Sequence, residues 1–217
     1  MSADNTSKMI QLLGSLRKEM NGAVADSMYY YGDNYGLNYG VSIPTIRSKA
    51  AKAGRDHEFA KYLYKQQVRE LRLAALHIAE PELMLYSEAE FWAEGVINSE
   101  VAEEMAFALL CNSKEIELFF DLWTKSDNKF LAYAAIMAAA RSKAIAPVKA
   151  IEQVASVIES MPEERIIAQS AVALLAATFD RNHDLATKEL ICNTINSLSE
   201  STAKEYIREE MEWRMEF

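Results

Sequence analysis

The chain has 217 residues, half of them hydrophobic, with 23 Lys and Arg against 32 Asp and Glu and a formal charge of −9. That size and composition allow a sizeable core without disulfide or metal staples, while the acidity disfavours a general affinity for polyanions. The amino terminus is polar and no run approaches the ~18 apolar residues of a membrane span, so a soluble, cytoplasmic protein without a membrane partner is expected.

Ala, Glu, Leu, Ile and Met dominate, and only seven Gly and four Pro interrupt them. These residues favour helix, and no stretch alternates apolar and polar positions long enough to read as a sheet. The fold class is therefore all-α. In chain order the pattern predicts helices near 5–23, 44–54, 57–64, 66–80, 88–97, 100–111, 114–125, 127–142, 146–160, 163–179, 184–197 and 201–215.

The first break is distinctive. Gly32, Gly36 and Gly40 each follow a tyrosine, Tyr31, Tyr35 and Tyr39, which predicts a shaped, aromatic-lined connection. Pro44 suits the first turn of the next helix, with Ser42 or Ile43 as its N-cap and Gly54 as its stop. Ser87-Glu88-Ala89-Glu90 and Ser160-Met161-Pro162-Glu163 both read as capping boxes. Short connections between the later helices place consecutive helices in antiparallel contact.

Three alanine-rich cores recur, Leu73 to Leu76, Leu131 to Ile136 and Ala171 to Ala177. Small residues let helix backbones approach, and recurring helix pairs at this spacing predict a curved solenoid of antiparallel HEAT-like pairs, an α-α superhelix, over residues 1–217 as one domain. A plain helical bundle is the competing arrangement.

Charge is banded along the chain. Arg47, Lys49, Lys52, Arg55, Lys61, Lys65, Arg69 and Arg72 form a basic stretch opposed by Asp56, Glu58 and Glu70, whereas residues 80–121 are strongly acidic. Arg47, Lys52, Arg55, Lys65, Arg69 and Arg72 are thus candidate phosphate-binding residues on an acidic body, with ordinary solvated faces as the plainer alternative. Tyr29, Tyr30, Tyr31, Tyr35 and Tyr39 read either as packing for the first helices or as a contact surface.

Other chemistries find little support. Cys111 and Cys192 lie in apolar helical settings without a CxxC motif and read as buried reduced thiols. His57, His77 and His183 make no ligand set; His77 and Glu80 form a single suggestive pair, and a zinc or di-iron site needs three or four ligands. No GxxxxGK[ST], GxGxxG or GxSxG motif occurs. No cofactor or metal is expected. Trp92 and Trp123 read as packing anchors, while Trp213 lies beside Met211, Met215 and Phe217 in an acidic terminal helix.

Gly40-Val41-x-x-Pro44-x-x-Arg47, then Arg69-Glu70-x-x-x-Ala74-Ala75-Leu76, then Ser126-Asp127-Asn128 ahead of Ala134-Ala135-Ile136 occur in that order. Together they resemble the DNA alkylation repair (AlkD-like) family over about residues 20–197. The resemblance implies a curved stack of HEAT-like helix pairs whose concave face cradles duplex DNA. It also implies metal-free excision of cationic N3- and N7-alkylpurines in active members.

The catalytic groups implied by the family are substituted. After Ser99, a Trp-Trp-Asp-x-x-Asp pattern is replaced by Glu100-Val101-Ala102-Glu103-Glu104-Met105, so the catalytic carboxylate position falls on Met105. The implied arginine falls on Tyr133, and a further cleft tryptophan near Leu174. The cleft positions are therefore Val101, Met105, Tyr133 and Leu174. Excision of a cationic base passes through a cation-like sugar that a carboxylate stabilises, while aromatic faces hold the lesion and arginine grips phosphate. A shift of one residue puts Glu104 in the carboxylate position, with Tyr133 as its companion; otherwise Glu103-Glu104 reads as a solvated helix face.

These readings give a divergent family member without the usual glycosylase activity, acting as a binding scaffold for nucleic acid or for an unknown protein. The alternative is an alkylpurine DNA glycosylase with a rearranged site on Glu104 and Tyr133. A third reading is binding of distorted DNA through the basic stretch from Arg47 to Arg72, without excision.

Overall fold

The computed structural model describes residues 2–31 and 35–215; Gly32 and Phe217 lie outside the described residues. Every regular element of the described residues is helical, and the chain falls into two compact units, Met1–Glu104 and Met105–Phe217.

The first unit contains α1 (Ser2–Arg17), α2 (Gly22–Tyr30), α3 (Ile43–Ala53), α4 (His57–Tyr64), α5 (Arg69–Ile78), α6 (Ala89–Ala93) and α7 (Ser99–Glu104). Helix α1 packs on α3, α3 on α5 and α5 on α7, while α4 pairs with α5. The alanine core of α5 makes this closeness practicable, since Leu73, Ala74, Ala75 and Leu76 are all buried. Trp92, fully buried, seats against the Tyr64 ring, and the Tyr64 hydroxyl donates to the Trp92 carbonyl at 2.8 Å.

The second unit opens with a π-helical turn (Met105–Leu109) and a 3-10 turn (Leu110–Asn112). It continues with α8 (Ile116–Trp123), α9 (Lys129–Arg141), α10 (Pro147–Ser160), α11 (Arg165–Asn182), α12 (Leu185–Ser197) and α13 (Thr202–Met215). Helices α9, α11 and α13 pack side by side as one row; α8 pairs with α9, α10 with α11 and α12 with α13. The alanine-rich stretches from Leu131 to Ile136 and around Leu174 form the inner seam of this row and are almost wholly buried. Stacked helix pairs with small residues at the crossings match the repeat pattern read from the sequence.

Local signals hold unevenly. Ser42 caps α3, its hydroxyl accepting the Thr45 N–H at 3.3 Å, Pro44 sits in the first turn, and Gly54 ends the helix at φ 80°. Both expected capping boxes fail. The helix after Ser87 begins at Ala89 without a side-chain cap, and the Ser160 hydroxyl turns back to the Val157 carbonyl. The segment expected as one helix over 5–23 breaks at residues 18–21. Asn21 there caps the separate helix α2, because its side chain accepts the Val24 N–H.

Gly40 is where the tyrosine-rich connection closes on α2. It holds φ 67°, and a Cβ there would lie 2.1 Å from the Asn21 carbonyl oxygen, while the Asn21 N–H donates to the Tyr39 carbonyl at 2.8 Å. Replacing Gly40 with Ala is expected to destabilise the fold by about 2 kcal/mol or more, combining a left-handed backbone with a clash. Urea denaturation of Gly40→Ala, with Gly54→Ala as a comparison lacking the clash, measures this; equal losses in the two variants would contradict it.

Candidate functional site

Two charged clusters organise the first unit, and both involve residues the sequence singled out. The first begins at the adjacent Arg69 and Glu70 on α5, both buried. The Glu70 carboxylate accepts the backbone N–H groups of Tyr39 at 3.1 Å and Val41 at 3.2 Å. Arg69 donates to Glu100 through Nε at 2.8 Å and to the Val41 carbonyl through Nη1 at 2.8 Å. Tyr35 completes the cluster, its hydroxyl donating to Glu100 at 2.6 Å and lying 3.1 Å from Asn98 Oδ1. Arg69 is therefore a clasp holding residues 35–41 to α5 and α7. It faces inward and drops out of the surface basic strip.

The second cluster centres on Glu104 at the end of α7. Its carboxylate accepts His77 Nε2 at 2.6 Å and Arg47 Nε at 3.1 Å, with a second, shorter contact from Arg47 Nη2. The Glu104 side chain is buried, whereas Arg47 remains partly in water. Burial pushes the Glu104 carboxyl up, yet the hydrogen bonds and charges of His77 and Arg47 outweigh burial and hold it below the ordinary glutamate value. Glu103 alone keeps the solvated position expected for the pair; Glu104 does not, because α7 turns it toward α3 and α5.

This arrangement limits what Glu104 can do. It is ionised, as a carboxylate stabilising a cation-like sugar must be. Its two oxygens, however, are already matched by a guanidinium and an imidazole, so the charge it presents outward is largely cancelled. His77 partners Glu104 and not Glu80. Glu80 instead meets His57, donating its backbone N–H to Nδ1 at 3.3 Å, while His57 Nε2 lies 3.2 Å from Glu88.

The positions on which the family pattern falls are core positions. Val101 in the first unit and Met105 and Leu174 in the second are fully or almost fully buried, and Tyr133 is buried on α9. Met105 opens the π-helical turn. The same turn leaves Phe107 exposed with the Arg141 guanidinium 5.6 Å from its ring, a pair that no sequence motif marks. A π turn inside a helical run is a frequent mark of functional segments. Cys111 lies beside it, half-buried, its thiol pushed up by burial.

The basic stretch divides. Lys52, Arg55 and Lys65 are exposed, Lys65 resting 5.3 Å from the Phe91 ring. Arg47 serves Glu104, and Arg72 is half-buried, its Nε shielded and without a hydrogen-bond partner among the described residues. The tyrosine series divides as well: Tyr35 is buried, whereas Tyr29, Tyr30 and Tyr31 are 75%, 82% and 80% exposed. Among the described residues, no group of three or more His, Cys, Asp or Glu side chains is placed to hold a metal ion, and no helix is long and apolar enough to cross a membrane.

Glu104→Gln is expected to cost about 2 kcal/mol, less than a fully buried pair because Arg47 is partly solvated. The sign with pH follows from the depressed carboxyl. The unfolded chain takes up the proton first, so the contribution of Glu104 is complete above its unfolded value near ~4.3 and disappears as pH falls through the lower folded value. Urea denaturation of wild type and Glu104→Gln between pH 7 and 3 measures this. The stability gap should narrow on acidification, and a gap that widens would contradict the ion pair.

Comparison with known proteins agrees with this fold. A family model described as DNA alkylation repair enzyme matches residues 12–209. A solved structure described as belonging to a new family related to the HEAT-like repeat DNA glycosylases, with affinity for branched DNA structures, superposes with a TM-score of 0.70. It shares 15% identity, over 94% of this chain and 93% of that one, a likeness that shows the fold as HEAT-like. No curated protein sequence matches the chain. With nearly all of its length matched by the family model, the chain belongs to the DNA alkylation repair enzyme family.

Proposed function

We propose that this protein is a DNA-binding member of the family that does not excise bases in the usual way. The observation that carries the reading is the fate of the implied catalytic positions. Met105, Val101 and Leu174 are apolar and buried, and the neighbouring carboxylate, Glu104, is matched by Arg47 and His77. Apolar side chains supply neither a field for a cation-like sugar nor a grip on phosphate. The solved structure with the HEAT-like fold has affinity for branched DNA, and branched or distorted DNA is the ligand class proposed here. The concave face implied by the family resemblance is the proposed ligand side.

A second reading keeps Glu104 and Tyr133 as a rearranged glycosylase site. It is favoured by the depressed Glu104 carboxyl, which keeps that group ionised at neutral pH. It requires Arg47 and His77 to release the carboxylate when DNA binds.

One experiment separates these readings. A four-way junction and linear duplexes with and without N7-methylguanine are titrated with the protein at low and moderate salt, and the same samples are assayed for freed base. The expected result is junction binding that weakens with salt, with no base release. Lesion-dependent release that disappears in Glu104→Gln would establish the second reading instead. Absence of binding to any of these DNAs at low salt would leave a scaffold for protein partners.

A further inference from the structure

The first unit contains a cleft of about 480 Å³ formed by α1, α3 and the start of α4. None of the positions implied by the family's active site contributes to it. Lys8 and Leu12 line it from α1, Lys49 and Lys52 from α3, and Arg55, Asp56 and Phe59 from the α3–α4 connection and α4. Four cations thus converge on one opening, on a protein whose net charge is −9.

The acids near these cations do not cancel them all. Lys8 meets Asp4 at 3.0 Å and Asp56 at 3.1 Å, and Lys49 meets Glu19 at 3.2 Å. Arg55 uses one guanidinium nitrogen on the Ala79 carbonyl, which fixes the side chain without neutralising it. Lys52 has no hydrogen bond or ion pair among the described residues and is exposed. Asp56 is occupied as the N-cap of α4, its Oδ1 accepting the Phe59 N–H at 3.0 Å. The start of α4 is therefore filled, and an anion would be held by the side chains around it. Leu12 and Phe59, both buried, form an apolar floor.

We propose that this cleft seats the phosphates of a nucleic-acid strand, with Lys52 and Arg55 as principal contacts and Lys8 and Lys49 flanking them. The inference rests on the DNA-binding reading above for its ligand, and locates a contact that the family's catalytic positions do not supply. Open access and cations on α1, α3 and the α3–α4 connection suit a strand running through the cleft better than a single enclosed anion. Such contacts position a nucleic acid without reading sequence.

The test is fluorescence anisotropy of a labelled four-way junction against wild type, Lys52→Ala, Lys52→Glu and Lys49→Ala/Lys52→Ala, over a salt series, with sodium pyrophosphate as competitor. Lys52 has no side-chain partner among the described residues to lose, so Lys52→Ala keeps the fold; thermal melting of each variant checks this. The expected result is a salt slope reduced by about one for Lys52→Ala and about two for the double variant, with Lys52→Glu weakening low-salt binding roughly tenfold. Wild-type binding with unchanged slopes and affinities in the variants would overturn the cleft and leave the DNA-binding reading intact. No junction binding by wild type would overturn both. Pyrophosphate that raises wild-type melting through Lys52, while junction affinity is indifferent to Lys52, would overturn the strand in favour of a small phosphate compound.

Discussion

The buried carboxylate of Glu104 is the constraint around which the first unit is arranged. A carboxylate out of water is costly unless it is paired and hydrogen-bonded, and here the pairing comes from two other helices, Arg47 from α3 and His77 from α5. One charge therefore fixes the relation of three neighbouring helices. The Arg69–Glu100 pair and the Glu70 bonds to Tyr39 and Val41 add a second set of ties one helical turn away. Arg47 and Arg69, which in isolation look like surface charge for a polyanion, are internal fasteners, whereas Lys52, Arg55 and Lys65 are exposed.

The same constraint shapes the functional reading. An acid adjacent to the implied catalytic position exists, but its charge is already answered, and the implied position itself is the buried Met105. Lys52 and Arg55 take no part in these internal clusters and lie beside Lys8 and Lys49, where the proposed phosphate contact falls. A local cationic cleft on an acidic protein acts over about one Debye length, ~8–10 Å at moderate salt. The net charge of −9 therefore opposes long-range attraction without cancelling contact with a phosphate already in place.

Much of the fold was legible because helix periodicity and alanine cores are local signals. The helix starting at His57 ends at Tyr64 as read from sequence, and Pro44 with Gly54 bracketed α3. What escaped was decided by tertiary contact. Helix α2 has no buried residue to give it an amphipathic stripe, so the pattern leaves most of it in the connection between the helices expected over 5–23 and 44–54. The π turn at Met105 has no compositional mark. The candidate site was less legible still. Arg69 and Arg47 share a basic stretch with Lys52, yet only the fold reveals that the first is buried, the second paired and the third exposed. His77 as partner of Glu104 lies 27 residues away in the chain, beyond any spacing rule.

The most direct test of this account is a double-mutant cycle between Arg47 and Glu104, using Arg47→Met, Glu104→Gln and the combined variant in urea denaturation at pH 7. If the carboxylate is held internally, the two substitutions couple by about 1–3 kcal/mol, the double variant losing less than the sum of the singles. Losses that add within ~0.5 kcal/mol would contradict it, and would return Glu104 to the solvent as a group free for chemistry.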